Sequence, residues 1–189
     1  MPRLLSAALA ALPLLVTVGP PARAQQIPAP VDSALHRIFA SGTYASERFG
    51  PARWADGGNS YLTLEPSPAV QGYDLVEYDA ATGMRTVKVP ATELIPAGRR
   101  EPLIPQDYAF SAHGRQLLVF TNTRRVWREN TRGDYWILDL DTKRLHEVGG
   151  AGVPESRLMF AKFSPDGSRV AYVLNGDLFV EPSAGGAVK

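Results

Sequence analysis

Phe163-Ser164-Pro165-Asp166-Gly167-Ser168-Arg169-Val170-Ala171-Tyr172-Val173 is the stretch that decides the fold of this chain. Pro165 pre-sets φ for the first turn position, Asp166 can bond its own backbone and Gly167 accepts a positive φ, so the turn holds by local chemistry. A run of β-formers follows, which predicts a hairpin. The same order of residue types occurs twice upstream, at Phe110-Ser111-Ala112-His113-Gly114-Arg115-Gln116-Leu117-Leu118-Val119 and at Trp54-Ala55-Asp56-Gly57-Gly58-Asn59-Ser60-Tyr61-Leu62. The copies lie about 55 residues apart, a spacing typical of repeat architectures. Each is followed by a second strand with an acidic or Gly flank: Tyr73-Asp74-Leu75-Val76-Glu77-Tyr78-Asp79, Asp134-Tyr135-Trp136-Ile137-Leu138-Asp139-Leu140 and Gly176-Asp177-Leu178-Phe179-Val180-Glu181. Short strands joined by tight turns in units of about 40 to 50 residues are the pattern of β-propeller blades. One blade cannot bury both of its faces, so neighbours are obligatory.

The expected fold class is therefore all-β, a partial β-propeller of about three blades that follows a signal peptide and a short N-terminal helix. Closed propellers need roughly 4 to 8 blades, so the chain is expected to be incomplete and to expose an apolar sheet face with unpaired strand edges. Three segments are expected: a signal peptide at 1–24, a linker with a short helix at 25–48, and the partial propeller at 49–189.

Arg3 supplies a positive start to the leader, Leu4 to Val18 an apolar stretch, and Ala22-Arg23-Ala24 a small-x-small cleavage site before Gln25. A membrane anchor is the alternative, but Pro13 interrupts the apolar run, which is shorter than the roughly 20 residues needed to span a bilayer. The protein is expected to be exported, periplasmic or secreted, with cleavage after Ala24. It has no Cys, so no disulfide supports it there. Gln26 to Pro30 reads as a Pro-rich spacer. Val31, Leu35, Ile38 and Phe39 then fall at helical spacing, which predicts a short amphipathic helix over 31–40 with Asp32 or Ser33 near its N-cap and Ser41-Gly42 as its stop. Val87, Val89, Leu94 and Ile95 lie in a segment broken by Pro90 and Pro96, which reads as edge or connecting structure.

The chain's 20 basic and 19 acidic residues leave a net charge of +1 with the charges scattered, which excludes the electrostatic footprint of a nucleic-acid or anionic-membrane binder. Partners are to be sought among small polar ligands and proteins. The sequence has no Gly-rich phosphate loop, no Cys/His cluster and no Gly-x-Ser-x-Gly elbow, and His36, His113 and His146 are too dispersed for a metal site. No cofactor, metal or catalytic residue is assigned within these residues. His113 reads as a turn residue standing where Asp166 stands in the third copy, and Asp139 and Asp141 as strand-end turn formers. The segment from Thr121 to Asp134 is different: Arg124, Arg125, Arg128, Arg132 and Trp127 sit on a polar hairpin between two strongly apolar strands. Such an excursion can reach a propeller's central cavity, where an Arg fork donates paired hydrogen bonds to a carbonyl or carboxylate. The alternative is a solvated basic hairpin with Trp127 covering the sheet edge.

Asp107-Tyr108-Ala109-Phe110-Ser111, Leu117-Leu118-Val119-Phe120-Thr121-Asn122, Trp127-Arg128, Tyr135-Trp136-Ile137-Leu138-Asp139-Leu140 and Ala161-Lys162-Phe163-Ser164-Pro165-Asp166-Gly167 occur in that order. Together they closely resemble the N-terminal propeller of the dipeptidyl peptidase IV family of serine peptidases. Phe49-Gly50-Pro51-Ala52-Arg53-Trp54 looks like the start of the same domain. The resemblance covers about residues 32–189 and is most specific over 107–181. It implies an eight-bladed propeller stacked on a C-terminal α/β-hydrolase domain, and release of N-terminal dipeptides with Pro or Ala in second place. By motif it makes Arg128 a substrate-binding residue for a backbone carbonyl of the peptide substrate. Glu129 to Arg132 depart from the aromatic-rich pattern of the animal members, and Arg124, Arg125 and Arg132 inherit no role. The family's acidic pair for the substrate ammonium and its catalytic Ser, Asp and His are expected beyond Lys189, with a homodimer expected of the full-length protein. The rival reading is a non-enzymatic periplasmic propeller that binds proteins; it leaves Trp127-Arg128 without a task, and fold alone does not separate the two.

Overall fold

The computed structural model describes residues 27–45, 51–150 and 152–186. The leader, its cleavage site and Phe49-Gly50 lie outside them. The chain divides into two units, Met1–Arg48 and Phe49–Lys189. In the first, helix α1 (Ala29–Phe39) begins two residues earlier than its apolar spacing predicts. Its N-cap is Pro28, whose carbonyl accepts from the Val31 and Asp32 amides at 2.8 and 3.0 Å. Asp32 and Ser33 therefore do not cap it. Pro30 is tolerated in the first turn because its missing N–H would have had no partner there, and this draws the presumed spacer into the helix. The stop is as expected: Ala40 and Ser41 both donate to the His36 carbonyl, and Gly42 turns the chain away at φ +69°. No residue of α1 is buried.

The second unit carries three successive antiparallel groups of strands. The first is β1 (Arg53–Ala55), β2 (Ser60–Pro66), β3 (Tyr73–Asp79) and β4 (Arg85–Val89), paired in that order. The second is β5 (Asp107–Phe110), β6 (Gln116–Val126), β7 (Glu129–Asp139) and β8 (Leu145–Glu147), and the third is β9 (Leu158–Phe163), β10 (Arg169–Leu174) and β11 (Asp177–Pro182). These are the three expected blades of a partial β-propeller. β4 lies at the edge of its sheet, and a 3-10 turn at Ala91–Leu94 follows it, so the Pro-bounded segment is edge and connector, as its prolines require.

Each first turn forms where the Gly pattern places it. Gly114 and Gly167 take φ +65° and +72°, and their amides donate to the carbonyls of Ser111 and Ser164 at 2.8 Å. His113 is an exposed residue of the β5–β6 turn. Asp166 binds its own turn, accepting from the Ser164 hydroxyl at 2.5 Å and from the Ser168 amide at 3.0 Å. The third turns of blades one and two repeat as well. Asp79 accepts from the Thr82 amide and hydroxyl at 2.7 and 2.6 Å, and Asp139 from those of Thr142 at 2.8 and 2.8 Å. The Thr142 bonds hold the Asp139 carboxyl below the usual carboxylate range. The turn role of both acids is thus realised: the Asp141 amide donates to Asp139 Oδ1 at 3.2 Å within the turn, and the exposed Asp141 carboxylate also faces Arg115 at 3.6 Å.

Burial follows the two-residue period of the strands. Leu117, Val119, Trp136 and Leu138 of blade two join Leu62, Leu75 and Val89 of blade one in one core. The intervening Leu118, Tyr135 and Ile137 join Leu158, Ala161, Val170 and Tyr172 of blade three in a second core. Both faces of blade two are covered, which is why its strands read as continuous apolar runs rather than as alternation. Each fully buried Leu or Ile there contributes about 1.5–3 kcal/mol by leaving water.

Candidate functional site

The residues between Thr121 and Asp134 do not loop back at the edge of the blade. Thr and Val favour extended backbone, and β6 and β7 both run for 11 residues, far past the apolar part of the sheet. Pairing is regular from Gln116↔Asp139 to Thr121↔Asp134 and then shifts before Arg124↔Arg132. Asn122 sits at this bulge with φ +46°, a left-handed conformation that Asn tolerates better than most residues. Beyond the bulge a two-stranded ribbon continues to its tip at Trp127-Arg128.

Trp127 takes φ +60° at the first central position of the tip turn, where Gly is the usual occupant. A bulky residue there is a conformational outlier. Trp127 is 83% exposed, so it does not cover the sheet edge. The Arg128 guanidinium lies over the Trp127 ring, 4.6 Å from its centroid. The Arg125 Nε donates to the Trp127 carbonyl at 3.2 Å. The indole face thus supports an exposed, planar donor group at the end of the ribbon, an arrangement that favours Arg over Lys. Arg124 and Arg125 are exposed on the stem, and Arg132 is half-buried where β7 meets β9.

The ribbon is anchored on two sides. Arg132 and Gly133 pair with Met159 and Leu158 of β9, which ties the hairpin of blade two to the inner strand of blade three. At the base, Asp134 is buried and accepts from the Asn122 side-chain amide at 2.7 Å and from the Ser156 amide at 2.6 Å. The Ser156 hydroxyl donates to the Asn122 carbonyl at 2.5 Å.

Cavities flank the stem. One of about 250 Å³ is walled by Tyr108, Phe120, Tyr135 and Phe160, with Glu129 and Lys162 at its polar rim. Phe160 is 56% exposed and holds φ +57° in the irregular part of β9. Burial pushes the Tyr135 hydroxyl up in pKa, with the neighbouring Ala161 and Phe160 backbone amides opposing it. Another, of about 580 Å³, lies against the base and is bounded by Arg99, Asn122, Asp134 and Trp136. Arg99 lies 5.7 Å over the Trp136 ring. Among the described residues no group of His, Cys, Asp and Glu is arranged to hold a metal ion.

A model of the dipeptidyl peptidase IV N-terminal region matches residues 111–189, which include the whole hairpin and blade three. Over this stretch the chain is similar to that family's N-terminal region. Among curated relatives of this family region, the probable dipeptidyl-aminopeptidase B of Aspergillus terreus is 26% identical over 125 residues, 66% of this chain and 13% of the relative. The probable dipeptidyl-aminopeptidase B of Colletotrichum graminicola is 27% identical over 139 residues, 67% of this chain and 15% of the relative. The crystal structure of Porphyromonas gingivalis dipeptidyl peptidase 4 superposes with a TM-score of 0.62 at 22% identity, over 79% of this chain and 20% of that one. At this identity the likeness is one of fold, and it is the fold expected of the family's N-terminal propeller. The chain spans 13% and 15% of the length of the two curated relatives.

Sequence reasoning singled out Arg128 and Trp127, and the structure brings them together at the tip. It missed Asn122, Ser156 and Phe160. Asp134 was visible only as the acidic flank of a strand, although Asp74 shows the same use in blade one, accepting from the Ala91 amide at 2.7 Å.

Proposed function

We propose that this region is the substrate-orienting front of an exported serine dipeptidyl peptidase that releases N-terminal dipeptides with Pro or Ala in second place. In this reading Arg128 donates paired hydrogen bonds to a backbone carbonyl of the peptide, and a C-terminal α/β-hydrolase domain supplies the Ser, Asp and His. The acidic pair for the substrate ammonium also comes from beyond Lys189. The contribution of these residues is positional. A peptide held by its backbone presents its scissile carbonyl to a nucleophile at fixed geometry, which removes the entropy cost of alignment from the chemical step. Export follows from the leader, with Gln25 as the mature N-terminus.

The observation that carries this reading is Trp127 held at φ +60° with the Arg128 guanidinium 4.6 Å over its ring. A strained aromatic at an exposed turn costs stability and persists where the geometry serves a site. The names of the sequence relatives, probable dipeptidyl-aminopeptidase B, support this reaction class.

The test is steady-state kinetics of dipeptide release by the full-length protein. Arg128→Ala is expected to lower kcat/KM by roughly 10- to 150-fold, the loss of a hydrogen bond to a charged group worth about 1.5–3 kcal/mol. Arg128→Lys should recover only part of it, because an ammonium keeps the charge without the fork. Arg124→Ala, on the exposed stem, should change the rate little. Equal, small effects from Arg128→Ala and Arg124→Ala in folded protein would return the hairpin to a solvated basic loop.

A further inference from the structure

The hairpin leaves the blade as a two-stranded ribbon, and such a ribbon is marginal in water unless something holds it. The register shift that releases it from the sheet falls between Thr121 and Arg124. At that place three groups close a ring of hydrogen bonds. Asn122 Nδ2 donates to Asp134 Oδ2 at 2.7 Å, the Ser156 amide donates to Asp134 Oδ1 at 2.6 Å, and Ser156 Oγ donates to the Asn122 carbonyl at 2.5 Å. Hydrogen bonds to a carboxylate are roughly twice as strong as neutral ones. Asn122 and Ser156 both make these bonds from left-handed backbone, at φ +46° and +56°.

Blade one shows what such an acid does without a hairpin. Asp74, buried like Asp134, accepts from the Ala91 amide and so fastens the strand to the connector toward the next blade. Asp134 makes the corresponding bond to Ser156 in the connector toward blade three. Its second oxygen is additionally committed to Asn122, the residue at which the ribbon departs. The connector is therefore tied to both strands of the hairpin at the base, and six residues further on the ribbon ends in Trp127 and Arg128.

We infer that Asp134, Asn122 and Ser156 form a clamp that sets the direction of the ribbon and thereby places the Arg128 guanidinium; they are positioning residues that touch no substrate. This inference rests on the role given to Arg128 above. A swing of the ribbon at its base is amplified at its tip, and a misplacement of about 1 Å in a positioned group can cost on the order of 100-fold in rate.

The experiment is a double-mutant cycle in the full-length protein. Asn122→Gly keeps the left-handed backbone available and removes only the side-chain bond to Asp134. Ser156→Gly does the same for the bond to the Asn122 carbonyl and serves as the second variant should Asn122→Gly fold poorly. Each is expected to lower kcat/KM for dipeptide release by about 3- to 30-fold in protein that still folds, with faster hydrogen exchange over residues 123–131. In an Arg128→Ala background the same substitutions should have almost no further effect on rate, because the group they place is gone. Losses that multiply with that of Arg128→Ala, or clamp variants with wild-type kinetics beside a damaged Arg128→Ala, overturn the clamp and leave the Arg128 reading standing. An inert Arg128→Ala overturns that reading, and the clamp with it.

Discussion

The Phe120 ring occupies the space that a side chain on Gly133 would need. A Cβ built on Gly133 meets the edge of that ring, and also the Thr121 carbonyl oxygen at 2.7 Å. This is the point where β6, β7 and β9 come together, with Gly133 paired to Leu158. Phe120 cannot retreat freely, because it stacks on Tyr135 with ring centroids 4.6 Å apart.

Gly133→Ala is therefore expected to destabilise the propeller by about 1–3 kcal/mol, the usual cost of forcing an extra methyl group into a filled space. Gly152, with nothing within 4 Å of a built Cβ, is the control: Gly152→Ala should stay within about 0.5 kcal/mol. Urea unfolding of both variants checks this. A Gly133→Ala protein with an unchanged midpoint would show that the strands separate more easily than their pairing implies.

His146 on β8 lies against Gly185, whose Cβ position is 3.3 Å from its ring. Neither ring nitrogen finds a hydrogen-bond partner among the described residues. Burial holds its pKa below the ordinary value of 6.5, Arg144 adds to this, and Asp139 opposes it. The folded protein thus takes up this proton at lower pH than the unfolded chain does. Stability from this site is complete above pH 6.5 and declines as pH falls into the window between the unfolded and folded values. His146→Leu should flatten the dependence between pH 7.5 and pH 5, read from urea midpoints. A wild-type protein equally stable at both pH values, with a variant that is no different, would mean that the ring is solvated.

Glu181 behaves in the opposite sense. Burial raises its pKa, against the Gly149 amide and the Tyr172 hydroxyl, which donates to it at 3.2 Å across β10 and β11. Its folded form binds a proton more readily than the unfolded chain, so its contribution to stability falls as pH rises through the raised value. Tyr172 is itself pushed up to about 12, first by burial and then by the Glu181 charge. Tyr172→Phe removes a donor to the carboxylate, which should move the Glu181 titration further up and cost about 1–3 kcal/mol near neutral pH. Carboxyl NMR titration of the two proteins measures the first effect, and a downward move of Glu181 would contradict it.

Export predicts a single processed N-terminus at Gln25. N-terminal sequencing of the protein from the extracellular or periplasmic fraction tests this. Intact Met1 recovered from membranes would instead favour an anchored chain.

The turns at Gly114 and Gly167 were legible because a tight turn is decided by its own few residues, and the strands between them because each apolar run must be buried on a repeating blade. For the same reason Asp139 could be read as a turn former. The α1 cap was not legible: Asp32 and Ser33 are good capping types, yet Pro28 and Pro30 let the helix begin earlier. Trp127 could be placed on a hairpin but not given its tip position or its exposure, which depend on how far the ribbon runs.

The sequence alone determined the blades, their order and the presence of an arginine on an unusual hairpin, because those properties follow from local propensity and a periodic apolar pattern. Only the tertiary structure decided where that arginine points. Asp134 binds Asn122 and Ser156, 12 and 22 residues away, and Gly133 pairs with Leu158 across the junction of two blades. Such partners are chosen by the packing of one blade on the next, and no local pattern in the chain encodes them.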